Sequence, residues 1–396
     1  MSRVDDLIAK HCPNGVEFKT LGEVVTPKRG KRLVKNQLEE AGDFAVYQNS
    51  MKPLGYYHES NTQAGATFVI VAGAAGEIGF SSNAFWAADD VYFFPETDAV
   101  INKYIYHFLL TKQHEISSQV RRASVPRLSI VAIEKLKIPV PPLEIQREIV
   151  KVLDTFTKLE AELEAELEAR RRQYKYYRDA LLTFGECTDA DASKQARITT
   201  LGEVATIVRG ASPRPIHFFL TEGDDGVPWI KIGDIASGEK YITTTAERIT
   251  AAGADKSRRI YPGDFVLSNS MSFGRPYISK IEGCIHDGWL SISGFSNSFV
   301  PDFLYHLLRS EPVQAEFARR AGAGTVQNLN ADIVKSVPIP IPPLEEQEHI
   351  VSILDKFDAL VNDLSSGLPA EIKARRQQYE YYRDKLLSFA ELEAMA

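Results

Sequence analysis

An α+β chain is what the sequence predicts: two globular mixed α/β domains separated by two long antiparallel helices that form a coiled coil. Three observations carry this. First, short blocks return in the same order: TLGEVVTPKRG at 20–30 as TLGEVATIVRG at 200–210, IPVPPLEIQ at 138–146 as IPIPPLEEQ at 339–347, and QYKYYRDALLTF at 173–184 as QYEYYRDKLLSF at 378–389. Second, the intervening stretches, 31–137 and 211–338, show no visible match to each other, so one duplicated frame holds two different inserts. Third, each Pro-rich block leads at once into a long run of helical periodicity. A tandem duplication with a rod after each domain implies a pseudo-twofold relation, antiparallel rods and a circular arrangement of the termini.

In chain order, residues 1–19 read as an N-terminal segment packing near the last helix, 20–142 as the first domain and 143–184 as its helix. Residues 185–198 read as a small, polar linker, 199–343 as the second domain and 344–390 as the second helix. The block TLGEV reads as a strand or turn. Each insert carries short β-like runs, at 66–71, 91–94, 229–232 and 264–267, punctuated by Gly, Asn, Asp and Pro. Helical stretches rich in aromatics and leucine follow near 101–120 and 301–320. The Pro-rich blocks read as stops that cannot continue a ladder and that set up a helix start.

Residues 144–184 contain neither Gly nor Pro, and Ile145, Ile149, Val152, Phe156, Leu159 and Leu163 recur at helical steps. At a rise of 1.5 Å per residue such a helix is a rod of roughly 60 Å. A second seven-spaced line, Leu167, Tyr174 and Leu181, is displaced by four residues from the first, a stutter at the tandem tetrads EAEL of 160–163 and 164–167. In the second helix Gly367 and Pro369 are expected to break or kink the rod.

The chain has 396 residues, 44% hydrophobic and 25% charged, with a net charge of −7. No apolar run is long enough for a membrane span, and the first residues carry no apolar core of a signal peptide, so a cytoplasmic location is expected. Cys12, Cys187 and Cys284 are too scattered for a disulfide framework or a metal knuckle. The negative charge does not argue against nucleic acid, because its excess sits in 344–396, with 6 bases against 11 acids, while 20–142 has 13 against 12.

Catalytic signatures are missing. There is no P-loop, no HExxH, no CxxC and no Asn-Pro-Pro-aromatic tetrad. GAAGEIG at 73–79 lacks the dinucleotide spacing and reads as a turn or a base-facing loop. His107 and His306 read as core histidines, and Asp89-Asp90 and Asp224-Asp225 as solvated pairs rather than metal sites. The chain therefore reads as a non-enzyme with no catalytic residue, metal or cofactor of its own.

Loop segments instead combine groups suited to DNA. In the first insert these are Lys28, Arg29, Lys31, Arg32, Gln48, Asn49, Arg121, Arg122 and Arg127. In the second they are Arg209, Arg214, Asn269, Ser272, Arg275, Gln327 and Asn328. Arg forks to guanine and Asn or Gln to adenine, while Lys and hydroxyls meet phosphates. Recurrence in both inserts favours double-stranded DNA over the other open class, a protein-interaction scaffold. Six tyrosines near the helix ends, Tyr174, Tyr176, Tyr177, Tyr379, Tyr381 and Tyr382, exceed what one two-stranded seam needs and are candidates for subunit binding. The alternative is that all six pack within the chain.

Through these blocks the whole chain resembles the specificity subunit of type I restriction-modification enzymes. The resemblance rests on the TLGEV start, IPxPPLxxQ, QYxYYRDxLLxF and the two-insert layout, with VPWIKIGDIASG at 227–238, LSNSMSFGRPYIS at 267–279 and HDGWLSIS at 286–293 resembling that family's target recognition domains. It implies a subunit without chemistry of its own that binds a split DNA site, one half per domain. It also implies two adenine methyltransferase subunits held on the helices and motor-nuclease subunits beyond them, these partners using S-adenosylmethionine, ATP and Mg2+. A methyltransferase system without a nuclease is the remaining alternative. The tetrads resemble a subgroup carrying such repeats, which makes Glu160, Leu163, Glu164 and Leu167 the residues that set the gap between half-sites.

Overall fold

The duplicated blocks fold into duplicated joints. In the computed structural model, which describes residues 2–122, 124–184, 196–235, 239–269, 273–322, 328–363 and 365–392, strand Phe18–Thr20 pairs antiparallel with Lys137–Pro139, and Arg197–Thr200 with Pro338–Ile341. The Pro-rich runs thus begin as strands, which the sequence did not lead one to expect, and end at their Pro-Pro pairs, where the long helices start as expected. Each ladder has only two strands, so a proline lacking an N–H can sit on its outer edge without leaving a partner unsatisfied. One-turn helices follow, Leu21–Val24 and Leu201–Val204, tied by Leu21 N–H to the Leu136 carbonyl (2.8 Å) and by Leu201 N–H to that of Val337 (3.0 Å). Glu23 accepts from the Thr20 backbone and hydroxyl, at 2.8 and 2.7 Å, and Thr199 donates to Glu203 in the second copy. The polar residues of TLGEV are there to cap this turn.

The glutamine of IPxPPLxxQ has an equally specific task. Gln146 and Gln347 are fully buried. Gln146 accepts from Ile101 N–H (2.9 Å) and donates to the carbonyls of Ala99 and Pro141; Gln347 accepts from Val300 N–H (2.9 Å) and donates to those of Ser298 and Pro342. Each amide joins the start of a long helix to the start of an insert helix, Asn102–Thr111 or Pro301–Leu308. A buried amide with all these bonds made fixes one geometry, and losing a partner would leave a costly orphan.

Two compact units result: Met1–Glu162 with Lys373–Ala396, and Leu163–Ile372. The division cuts through both long helices rather than at their ends, so each half of the sequence contributes the far part of its helix to the other unit. The first helix, Leu143–Leu181, is continuous. In the first unit it buries Ile145, Ile149 and Leu153, while Leu159 faces out at 40% exposure, so the apolar stripe drifts off Leu159 before the tetrads. The second helix runs Leu344–Asn362 and resumes as Leu368–Leu386. At Gly367 a Cβ would lie 2.5 Å from the Ala359 carbonyl oxygen, so only glycine permits the expected break. Within the first unit Phe156 stacks on Tyr382 (5.3 Å between ring centres) and Glu160 pairs with Arg376, so these two helix segments run antiparallel. There also the chain ends meet: Val16 N–H donates to the Ala390 carbonyl and Leu392 N–H to that of Val16, both at 2.9 Å.

The inserts, dissimilar in sequence, share a topology. In the first unit one sheet orders Lys28–Arg29, Val91–Phe93, Ala66–Ile70 and Ile78–Ser81; in the second, Thr206–Arg209, Trp289–Ser293, Phe265–Ser268, Pro276–Ser279 and then an added Tyr241–Ile242. A second sheet in each holds one parallel pair, Phe44–Tyr47 with Trp86–Ala87 and Val227–Ile230 with Gly283–Ile285. GAAGEIG forms the turn of the antiparallel hairpin Ala66–Ile70/Ile78–Ser81, which excludes a dinucleotide loop, since no helix follows the strand.

Candidate nucleic-acid interface

The repeated block ends in Arg-Gly in both halves, and this dipeptide starts the candidate site. Gly30 and Gly210 lie so close to the backbones of Ala88 and His286 that any Cβ would collide with those carbonyls. That approach lets the preceding arginine reach across: Arg29 Nε donates to the Asp89 carbonyl (2.8 Å), and Arg209 Nε to the Asp287 carbonyl (3.1 Å). The next residue of each turn receives the end of the central hairpin, Val71 N–H on Asp90 (2.8 Å) and Asn269 N–H on Gly288 (3.1 Å). The hairpin end in turn accepts from a later loop, Leu128 N–H on Val71 (2.9 Å) and Leu329 N–H on Asn269 (2.8 Å). Four segments far apart in sequence are therefore joined in the same way in both units.

Around this constellation the first unit exposes Lys28, Arg29, Lys31, Arg32, Asn49, Arg121, Arg122 and Arg127, with Gln48 half-buried. Ala74 N–H donates to the Asn49 carbonyl (2.9 Å), Gly73 N–H to that of Pro126 (3.1 Å), and Arg121 and Arg127 exchange backbone bonds, so the amide pair and the arginine loop lie together beside the hairpin turn. Lys28, Arg29 and Lys31 line a cleft of about 690 Å³ that also includes Gln63, Trp86, Glu59 and Glu96.

In the second unit Arg209, Arg214 and Asn328 are exposed and Arg275 is half-buried, its guanidinium 5.5 Å from the Tyr277 ring centre. Asn269 departs from the expected role of base reader. It is buried, and its amide donates to the Asp287 carbonyl (2.9 Å), so it shapes the turn from within. The Asp287 carboxylate is held by Ser212 (2.7 Å) and Arg214 (3.2 Å), and the Ser212 bond lowers its pKa below the ordinary value. Asp89, its counterpart, keeps a buried Oδ1 without a partner among the described residues. Ser272 and Gln327 lie outside the described residues, as does most of the linker, 185–195. Residue-by-residue reading missed Ser212, Asp287 and Lys231. Lys231 follows the same parallel strand as Gln48 does and is ion-paired to Glu247 at 2.6 Å. The signals were present: Arg-Gly closes both opening blocks, and Leu128 and Leu329 each stand ten residues before the IPxPP run.

The six tyrosines divide into three matched pairs. Tyr174 and Tyr379 serve the chain itself. Tyr174 Oη lies 3.1 Å from His306 Nδ1, whose Nε2 is 2.8 Å from Asp355; Tyr379 Oη lies 2.9 Å from His107 Nδ1, whose Nε2 is 3.3 Å from Asp154. Burial lowers the pKa of both histidines, of His107 to about 4, and raises that of both phenols. Tyr177 and Tyr382 stack on Phe357 and Phe156. Tyr176 and Tyr381 remain outward, at 69% and 60% exposure. Of the tetrad residues, Glu160 belongs to the first unit, while Leu163 and Leu167 pack into the core of the second, so the repeats span the crossing from one unit to the other.

A family model for the type I restriction modification DNA specificity domain matches residues 13–169 and 194–374. A Haemophilus influenzae chain described as a type I restriction enzyme specificity subunit is 31% identical over 95% of this chain and 96% of its own length. A type I restriction enzyme specificity subunit of Escherichia coli is 32% identical over 74% of this chain and 72% of its own. The fold is similar to the crystal structure of a type I restriction-modification S subunit from M. genitalium, with a TM-score of 0.58 and 17% identity over 94% of this chain and 96% of that one. It is also similar to a chain from a structural study of complex assembly in a type I restriction-modification system, with a TM-score of 0.64 and 20% identity over 95% and 98%.

Proposed function

This chain belongs to the type I restriction-modification DNA specificity family, and on that premise we propose that it recognises a bipartite, asymmetric duplex site, one half per unit, with no catalytic site of its own. The observation that carries the reading is one constellation built twice, on Arg29 and Asp89 in one unit and on Arg209 and Asp287 in the other, with a different exposed side chain beside it, Arg127 in the first and Asn328 in the second. A shared scaffold gives both units one way to meet a duplex. Different side chains at its rim give them different sequences to read. The exposed cations Lys28, Lys31 and Arg32 of the first unit position phosphates.

The chain also acts as a scaffold. Tyr176 and Tyr381 occupy equivalent positions, are exposed and have apolar bodies with polar tips, which suits docking of two copies of one partner, the adenine methyltransferase subunits. Motor-nuclease subunits complete the assembly in the cytoplasm. S-adenosylmethionine, ATP and Mg2+ are used by those partners. The tetrads at 160–167 set the gap between half-sites, as in the subgroup whose repeats they resemble.

The test is a selection of random duplexes by the chain assembled with its methyltransferase subunits. Two short defined blocks at one fixed separation are expected. A single block, or no enrichment, would overturn the reading.

A further inference from the structure

We propose that Arg127 and Asn328 are one reading position built twice, and that each selects a single base pair in the half-site of its own unit, Arg127 a guanine and Asn328 an adenine. This rests on the DNA-recognition reading above and deepens it to named residues.

The equivalence comes from hydrogen bonding, since the sequences around the two positions, SVPRLS at 124–129 and TVQNLN at 325–330, share little. In each unit the residue after the reader is a buried leucine, Leu128 or Leu329, whose N–H donates to the residue following the central strand, Val71 (2.9 Å) or Asn269 (2.8 Å). In each, the residue after that leucine precedes a short helix, Ile130–Glu134 or Ala331–Lys335. That helix runs into the same joint, where Leu136 or Val337 accepts from the opening block. The backbone at 127 and at 328 is therefore held from the C-terminal side by the same hydrogen bond and the same buried leucine.

The two positions differ in their side chains. Both are exposed, and neither makes a side-chain hydrogen bond or ion pair among the described residues. Most other polar groups of the constellation are committed: Arg29 and Arg209 to turn carbonyls, Asn269 to Asp287, Arg214 to the Asp287 carboxylate. A rigid backbone with an uncommitted side chain is the arrangement a base reader needs, because a mobile one would lose the geometry of a bidentate contact. The residue types then set the chemistry. A guanidinium fork matches guanine O6 and N7, and a carboxamide matches adenine N7 and N6.

The experiment uses the full chain assembled with its methyltransferase subunits and repeats the site selection with R127N and N328R. R127N is expected to move one base pair of one block from guanine to adenine, and N328R one base pair of the other block from adenine to guanine. The untouched block should be unchanged in each case. Affinity for the original site should fall roughly tenfold to a hundredfold, the discrimination of one bidentate contact. R127K keeps the charge without the planar fork and should weaken the guanine preference while still binding DNA, which separates misfolding from lost reading. Unmoved preferences, both variants altering the same block, or a loss uniform across sequences with a salt slope reduced by about one, as for a phosphate contact, would overturn the assignment. If the unsubstituted chain itself selects no two-block site, the broader reading fails; if it does and the variants do not shift it, this assignment alone fails.

Discussion

Deleting residues 164–167 removes one EAEL tetrad where the first helix passes from one unit into the other. Four residues shorten the helix by about 6 Å and rotate its C-terminal part by about 400°, a net turn near 40°. The helix should survive: Leu163 then takes the place of Leu167 in the second unit's core, because both tetrads end in leucine and four residues nearly complete a turn. The partner rod is already interrupted between Asn362 and Leu368, which gives the shift somewhere to be absorbed. One base-pair step is about 3.4 Å and about 35°. Translation thus asks for nearly two base pairs and rotation for one. Rotation decides, because a reading loop on the wrong side of the groove makes no contact, whereas a mismatch of about 3 Å along the axis can be taken up by small bends in DNA. The expected outcome is an optimum gap shorter by one base pair, with both blocks unchanged. The assay is competition binding on duplexes that differ only in gap length. An optimum that stays where it was, with the variant folded, would refute the argument.

Tyr174→Phe removes a buried hydroxyl lying 3.0 Å from Asp358 and 3.1 Å from His306 and should cost about 1–2 kcal/mol in urea unfolding, while Tyr176→Phe should cost almost nothing; equal effects would contradict the division of the tyrosines. Tyr176→Ala and Tyr381→Ala should each weaken methyltransferase binding by about 1–2 kcal/mol, measured by titration calorimetry, without lowering the melting temperature. Unchanged affinity would assign these two side chains to solvent. His107 is depressed to about 4 by burial, against the opposing pull of Asp154 and with Lys103 and Arg383 nearby. Its unfolded form takes a proton near pH 6.5, so stability is full above that pH and falls by as much as ~3 kcal/mol on the way to pH 4. His107→Gln should flatten that part of the profile, and an unaltered slope between pH 6.5 and 4 would show that the histidine is not its source.

The duplicated frame, the rods and the break at Gly367 were legible in the sequence because they depend on local rules. Helical periodicity, absence of Gly and Pro, and the steric demand for glycine at one turn act over a few residues. The positions of Arg29 and Arg209 were legible too, since Arg-Gly closes both repeated blocks. Tertiary structure alone decided the rest. The inserts share strand order although their sequences diverge, because a buried strand needs only apolar side chains of fitting volume, and exposed loops are bound by no common core. Asn269 could be assigned a place inside the turn only once the Asp287 carbonyl was brought to it from eighteen residues away. The pairing of Tyr174 and Tyr379 with histidines is equally non-local. Each phenol meets a histidine that follows or precedes it by more than a hundred residues, and the need to satisfy both buried polar groups is a property of the folded core, absent from either segment by itself.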